Sequence, residues 1–207
     1  AQEAEISCRK AIDLNANLFN SHFLLGTILL GQKKLQEAEV STRKAIELNP
    51  DFFQAHLNLG AVLKELDDLQ EAEISTRKAI EINPEYAMAH SNLGGILKDL
   101  GNLQEAEVST RKAIELNPDF AMAHSNLGGI LNDLGKLDEL ILLSKSTIES
   151  RSINKGYKFL ASVRLTIANL LQEDFSETLL SINKTNDLIN QGAVNTIKNE
   201  KNRKNSL

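Results

Sequence analysis

Between residues 87 and 100 the apolar positions Leu93, Ile96, Leu97 and Leu100 fall at i, i+3, i+4 and i+7, the spacing of one helix face. Gly101 follows, where a left-handed turn residue ends a helix. A second helix is expected over about 103–116, with Ala106, Ala113 and Ile114 facing inward. Pro118 stops it, because the residue before a proline avoids helical backbone. The phrase Asn-Pro-acid-aromatic joins such pairs at Asn49–Phe52, Asn83–Tyr86 and Asn117–Phe120.

The pattern recurs with a period of 34 residues. Phe53–Tyr86 and Ala87–Phe120 agree at 22 of 34 positions without a gap, far beyond chance. Residues 19–52 form another complete unit, which departs at Leu24 (later Asn) and at Lys33 (later Asp67, Gly101 and Gly135). Residues 1–18 read as a half repeat, a second helix without its own first helix. The unit at 121–150 begins well and then decays, with Leu140, Ser144, Thr147 and Ser152 where the pattern wants Ala, Thr, Ala and Pro. After Arg151 the repeat is lost. Two amphipathic helices are expected over 153–172 and 175–190, then a polar basic end at 198–207. A fixed period of this length marks a stacked array. One helical hairpin buries too little apolar surface to fold alone, so neighbouring units must cover each other's faces.

Composition adds compartment and partner class. Net charge is −5, which argues against nucleic acid as partner. Residues 1–150 carry 14 basic against 23 acidic residues, a balance of −9; residues 151–207 carry 9 against 5, a balance of +4. The lone Cys8 excludes an internal disulfide framework and fits a reducing, cytoplasmic setting; its position reads as a small buried filler. The longest apolar run, Phe23–Leu30, is too short to cross a bilayer, so no membrane partner is expected. No initiator Met is present and the sequence opens mid-repeat, so part of a longer polypeptide is expected.

The unit resembles the tetratricopeptide repeat. Leu93, Gly94, Leu97, Ala106, Ala113 and Pro118 stand where that signature places Leu, Gly, an aromatic or Leu, Ala, Ala and Pro. The resemblance covers roughly residues 1–150. It departs where His22, His56, His90 and His124 replace an early Trp, and where Cys8 or Thr replaces an aromatic of the second helix. The wording AHSNLG at 89–94 and 123–128 is most similar to repeats of O-linked N-acetylglucosamine transferases, and is common in bacterial repeat proteins. The fold implied is all-α: a solenoid of antiparallel helix pairs in a right-handed superhelix, with a degenerate C-terminal segment at 151–207 that caps it or leads into a further domain.

The resemblance further implies that the first helix of each unit lines a concave, peptide-binding groove. That face carries Ser91, Asn92, Gly95, Lys98 and Asp99 in one unit. Its neighbours offer Leu57, Asn58, Ala61, Lys64 and Glu65, then Ser125, Asn126, Gly129, Asn132 and Asp133. A carboxamide has both donor and acceptor, so Asn58, Asn92 and Asn126 are suited to grip an extended peptide backbone, with Gly95 and Gly129 leaving room for it. The other reading is that these amides cap local polar groups or face water. The cationic clamp of chaperone-binding relatives is absent, since its positions fall on Leu57, Met88, Ser91 and Met122.

Other chemistry is poorly supported. The four His are a full unit apart, too far to share an ion at ligand distances of about 2.0–2.1 Å, so they read as packed at helix interfaces. The recurring Ser-Thr-Arg-Lys-Ala is balanced by Glu about four residues before it, a solvated ion-paired face. No phosphate loop, nucleophile elbow or metal motif occurs, so neither cofactor, metal nor enzymatic activity is expected. The chain reads as a module binding protein or peptide. The alternatives are the substrate-recruiting arm of a larger enzyme, such as a glycosyltransferase, and a structural spacer.

Overall fold

Eleven helices and no strand make up the described residues of the computed structural model, which are 2–150, 152–172 and 175–204. They are α1 (Gln2–Leu14), α2 (Phe19–Gly31), α3 (Leu35–Leu48), α4 (Phe53–Glu65), α5 (Leu69–Ile82), α6 (Ala87–Asp99), α7 (Leu103–Leu116), α8 (Ala121–Asp133), α9 (Leu137–Glu149), α10 (Lys155–Leu171) and α11 (Phe175–Lys204). α11 continues through 198–204, where the polar composition suggested an end. Residues 205–207, the last of that stretch, lie outside the described residues. The helices form two compact units, Ala1–Asn117 and Pro118–Leu207. α8 and α9, which the repeat pattern places in the array, belong by their packing to the second unit.

In the first unit each pair is an antiparallel hairpin, and each second helix packs on the first helix of the next pair. The α2–α3 turn is set by two backbone hydrogen bonds, Lys33 N to Leu30 O at 3.0 Å and Lys34 N to Leu29 O at 3.0 Å. Those bonds satisfy carbonyls that the helix end leaves without partners, and require a left-handed residue after the cap. The other pairs repeat the turn, with Asp68 N to Leu63 O at 2.9 Å, Asn102 N to Leu97 O at 2.8 Å and Lys136 N to Leu131 O at 2.9 Å. Gly101 and Gly135 take the left-handed conformation as expected, and so do Lys33 (φ 60°) and Asp67 (φ 66°). The departure at Lys33 therefore changes the side chain and not the path.

Close approach within a hairpin rests on glycine facing threonine. A Cβ at Gly26, Gly60 or Gly94 would collide with the hydroxyl of Thr42, Thr76 or Thr110 and press on the carbonyl oxygen of Ala38, Ala72 or Ala106 at 3.3, 3.2 or 3.1 Å. Between hairpins, core residues interlock: Leu25, Leu29 and Ala38 pack with Val62 of the next unit, and Leu59, Leu63 and Ala72 with Ile96. Cys8 is half-buried against the first of these clusters. The aromatic of the joining phrase packs edge-on against the start of its own unit: Phe52 on Phe19 and Phe23, with centroids 5.2 and 4.9 Å apart, and Tyr86 on Phe53 at 5.0 Å.

In the second unit α10 packs on both α9 and α8, as α4 packs on α3 and α2, but the side chains at the joint differ. The atoms a Cβ on Gly128 would meet first belong to Arg164 of α10, not to Ser144, the equivalent of the earlier threonines. Arg164 Nη1 donates to the Ser125 carbonyl at 2.8 Å. Burial lowers the arginine's pKa, opposed by the charge of Asp133. α10 and α11 are tied through the buried Asn169, whose Nδ2 donates to Ser181 Oγ at 3.0 Å.

Candidate functional site

The curvature of the first unit identifies its inner face. The backbones of α2 and α4, and of α4 and α6, approach each other closely, whereas among the described residues α3, α5 and α7 meet only through side chains. The first helices are therefore crowded on the inside of the bend, and the second helices are spread on the outside.

Asn58 and Asn92 hold the same position on the adjacent helices α4 and α6. Both are half-buried. Asn58 Nδ2 donates to Thr42 Oγ1 at 3.2 Å. Asn126 holds the same position on α8 in the second unit and is also half-buried. The charged positions of this face are engaged with one another. Lys64 Nζ lies 2.9 Å from Asp99 and Lys33 Nζ 2.7 Å from Glu65. Lys98 is half-buried, and Asp133 is exposed on α8.

Three of the expected groove residues are elsewhere. Ser91 is 0% exposed and Leu57 only 6%, and Gly95 is buried as well. Leu57 packs with Ala79 and Ala89 beneath Phe53 and Tyr86. Leu57 lies where one hairpin seats on the next, and none of the three offers surface to a partner. Their place on the polar side of a single helix did not reveal this burial. Ser125 is half-buried, and its carbonyl is taken by Arg164.

The histidines have a role that the sequence reading missed. His22, His56, His90 and His124 each place Nε2 on a carbonyl six residues earlier: Ala16 at 2.9 Å, Pro50 at 2.8 Å, Pro84 at 2.8 Å and Pro118 at 2.7 Å. Each ring latches the loop entering its own helix. The constant offset to the joining phrase is the signal that could have revealed it. No group of three or more His, Cys, Asp or Glu among the described residues is placed to hold a metal ion.

The outer face is electrostatically closed. Arg9, Arg43 and Arg77 each bind a Glu on their own helix (Glu5 at 2.8 Å, Glu39 at 3.0 Å, Glu73 at 2.9 Å). Each also reaches a Glu on the next second helix: Glu37 at 2.7 Å, Glu71 at 2.7 Å and Glu105 at 2.6 Å. Hydrogen bonds from Arg9 and Lys34 hold the Glu5 carboxyl down at a pKa of about 2, and Arg43 lowers that of Glu71. Two hollows, of about 600 and 520 Å³, open between the second helices over Leu25 and Leu93. Paired Arg and Lys side chains form their rims.

Comparison with known families agrees with the geometry. Family models described as tetratricopeptide repeat match residues 19–52, 42–74 and 87–120. Those segments belong to the tetratricopeptide repeat family, and the chain folds as a solenoid of such helix pairs. Repeats of this family generally mediate protein–protein interactions.

Similar folds include YrrB, titled a TPR protein with an unusual peptide-binding site. It is 23% identical, with 87% of this chain and 91% of that one covered and a TM-score of 0.70. MamA is 21% identical over 84% of this chain and 93% of that one, with a TM-score of 0.73. PilF of Pseudomonas aeruginosa is 19% identical over 82% and 75%, with a TM-score of 0.70. Comparison with the curated proteins returns no match. Among the described residues no helix is long and apolar enough to cross a membrane.

Proposed function

We propose that the chain is a binding module, not an enzyme, and that the inner face of the first helices in its first unit holds an extended segment of a partner protein through the amides of Asn58 and Asn92. The observation that carries this reading is the recurrence of a half-buried carboxamide at one register of adjacent helices, on a face whose charges are partly spent on each other. Such a face selects for main-chain polar groups, which every peptide has, and against dense charge. Each amide contributes about 0.5–1.5 kcal/mol, so affinity accumulates over rungs. YrrB, a protein of similar fold, is titled as having a peptide-binding site, which supports this mode.

Selection of binders from random peptides displayed on phage, followed by calorimetric titration, tests the reading. The double variant Asn58→Ala/Asn92→Ala is expected to weaken binding by about 5- to 160-fold, two rungs at the stated magnitude, while far-ultraviolet circular dichroism stays unchanged. Equal affinity in the variant would refute it.

A further inference from the structure

The geometry points to Thr42, one unit earlier than the amide, as the positioning residue for Asn58. This rests on the reading of the inner face as a peptide groove. Thr42 is 0% exposed, and its hydroxyl donates to the Ala38 carbonyl at 2.7 Å. A hydroxyl has one proton. With that proton spent, the oxygen can only accept, and the group it accepts is Asn58 Nδ2 at 3.2 Å. The amino end of the amide is thereby turned toward α3 and the carbonyl oxygen away from it. Thr42 fixes which end of Asn58 faces a ligand.

The repeat places Thr76 and Asn92 at the same offset of sixteen residues as Thr42 and Asn58. Thr76 is also 0% exposed, yet its hydroxyl has no hydrogen-bond partner. A buried hydroxyl without a partner is costly, and the amide the repeat brings to it is that of Asn92. The bond is made at Thr42 and not at Thr76. The Asn58 rung is therefore oriented before a ligand arrives, so less freedom is lost on binding.

The size of threonine also suits the site. Its hydroxyl fills the space that Gly26 or Gly60 leaves, so a valine of the same shape removes the hydrogen bond without opening a cavity. The test follows the side-chain amide resonances of Asn58 and Asn92 by nuclear magnetic resonance in full-length Thr42→Val, Thr42→Ser and Thr76→Val proteins. The same proteins are titrated with the phage-selected peptide. Thr42→Val is expected to shift the Asn58 amide, speed its exchange with solvent and raise Kd about two- to tenfold. Thr42→Ser restores both, and Thr76→Val, which removes a hydroxyl that has no partner, is expected to leave the Asn92 amide and Kd unchanged.

An Asn58 amide indifferent to Thr42→Val overturns the proposal. So does a serine variant that behaves like valine, or an amide that responds while affinity does not. A wild-type protein that binds no peptide fails differently: the groove reading falls, and the positioning role with it, even where the resonances reveal the Thr42–Asn58 bond.

Discussion

Four residues carry the same left-handed turn, yet only Gly101 and Gly135 among them lack a side chain. An added Cβ at either glycine meets nothing within 4 Å, so substitution there probes the backbone alone. Gly101→Ala and Gly135→Ala are each expected to cost about 1–2 kcal/mol, read from urea unfolding midpoints. Asp67→Gly should move stability the other way or leave it level, since relief of strain is partly offset by a freer unfolded chain. A loss at Asp67→Gly would show that this turn is unstrained. The sequence marked Lys33 as a departure because residue identity was all it offered. The hydrogen bonds to Leu29 and Leu30 impose the conformation whatever stands there. The histidines were opaque for a related reason: their partners are backbone carbonyls, which leave no trace in a side-chain pattern.

Within a hairpin, the contact between α6 and α7 turns on Gly94 and Thr110. Gly94→Ala forces its methyl group into the threonine hydroxyl, and overpacking of this kind costs about 1–3 kcal/mol. In the double variant Gly94→Ala/Thr110→Ala the methyl group enters space the hydroxyl vacated. The double variant should therefore be less destabilised than the sum of the singles, by about 1 kcal/mol in a thermodynamic cycle. Additivity would mean that the Ala106 carbonyl, 3.1 Å from the added Cβ, sets the cost alone. Helix type and extent were legible in the sequence: α7 spans Leu103–Leu116, as its apolar spacing and Pro118 indicated. Which polar positions stay open was less legible. Ser91 looks outward on an isolated helix, yet it is 0% exposed, and burial of that kind depends on tertiary packing that a single helix does not display.

For the molecule as a whole, the repeat signature carried the architecture of the first unit, but it ran on through residue 136, past the boundary at Pro118. The side chains at the second unit's joint were hidden. Arg164 occupies the place over Gly128 that a threonine takes elsewhere, and it comes from α10, beyond the recognisable repeats. The first unit shows how uniform its joints are. Arg43 reaches Glu71 and Arg77 reaches Glu105, each across 28 residues, so removal of Phe53–Tyr86 would bring Arg43 opposite Glu105 in the same register. That deletion should yield a folded helical protein with a smaller urea m-value, since less surface is exposed on unfolding. An unfolded product would mean that the joints are not equivalent. Equivalent joints make length a variable that mutation can alter in whole steps of one module. Duplication or loss of a coding segment would then extend or shorten the binding surface while every remaining seam is already fitted.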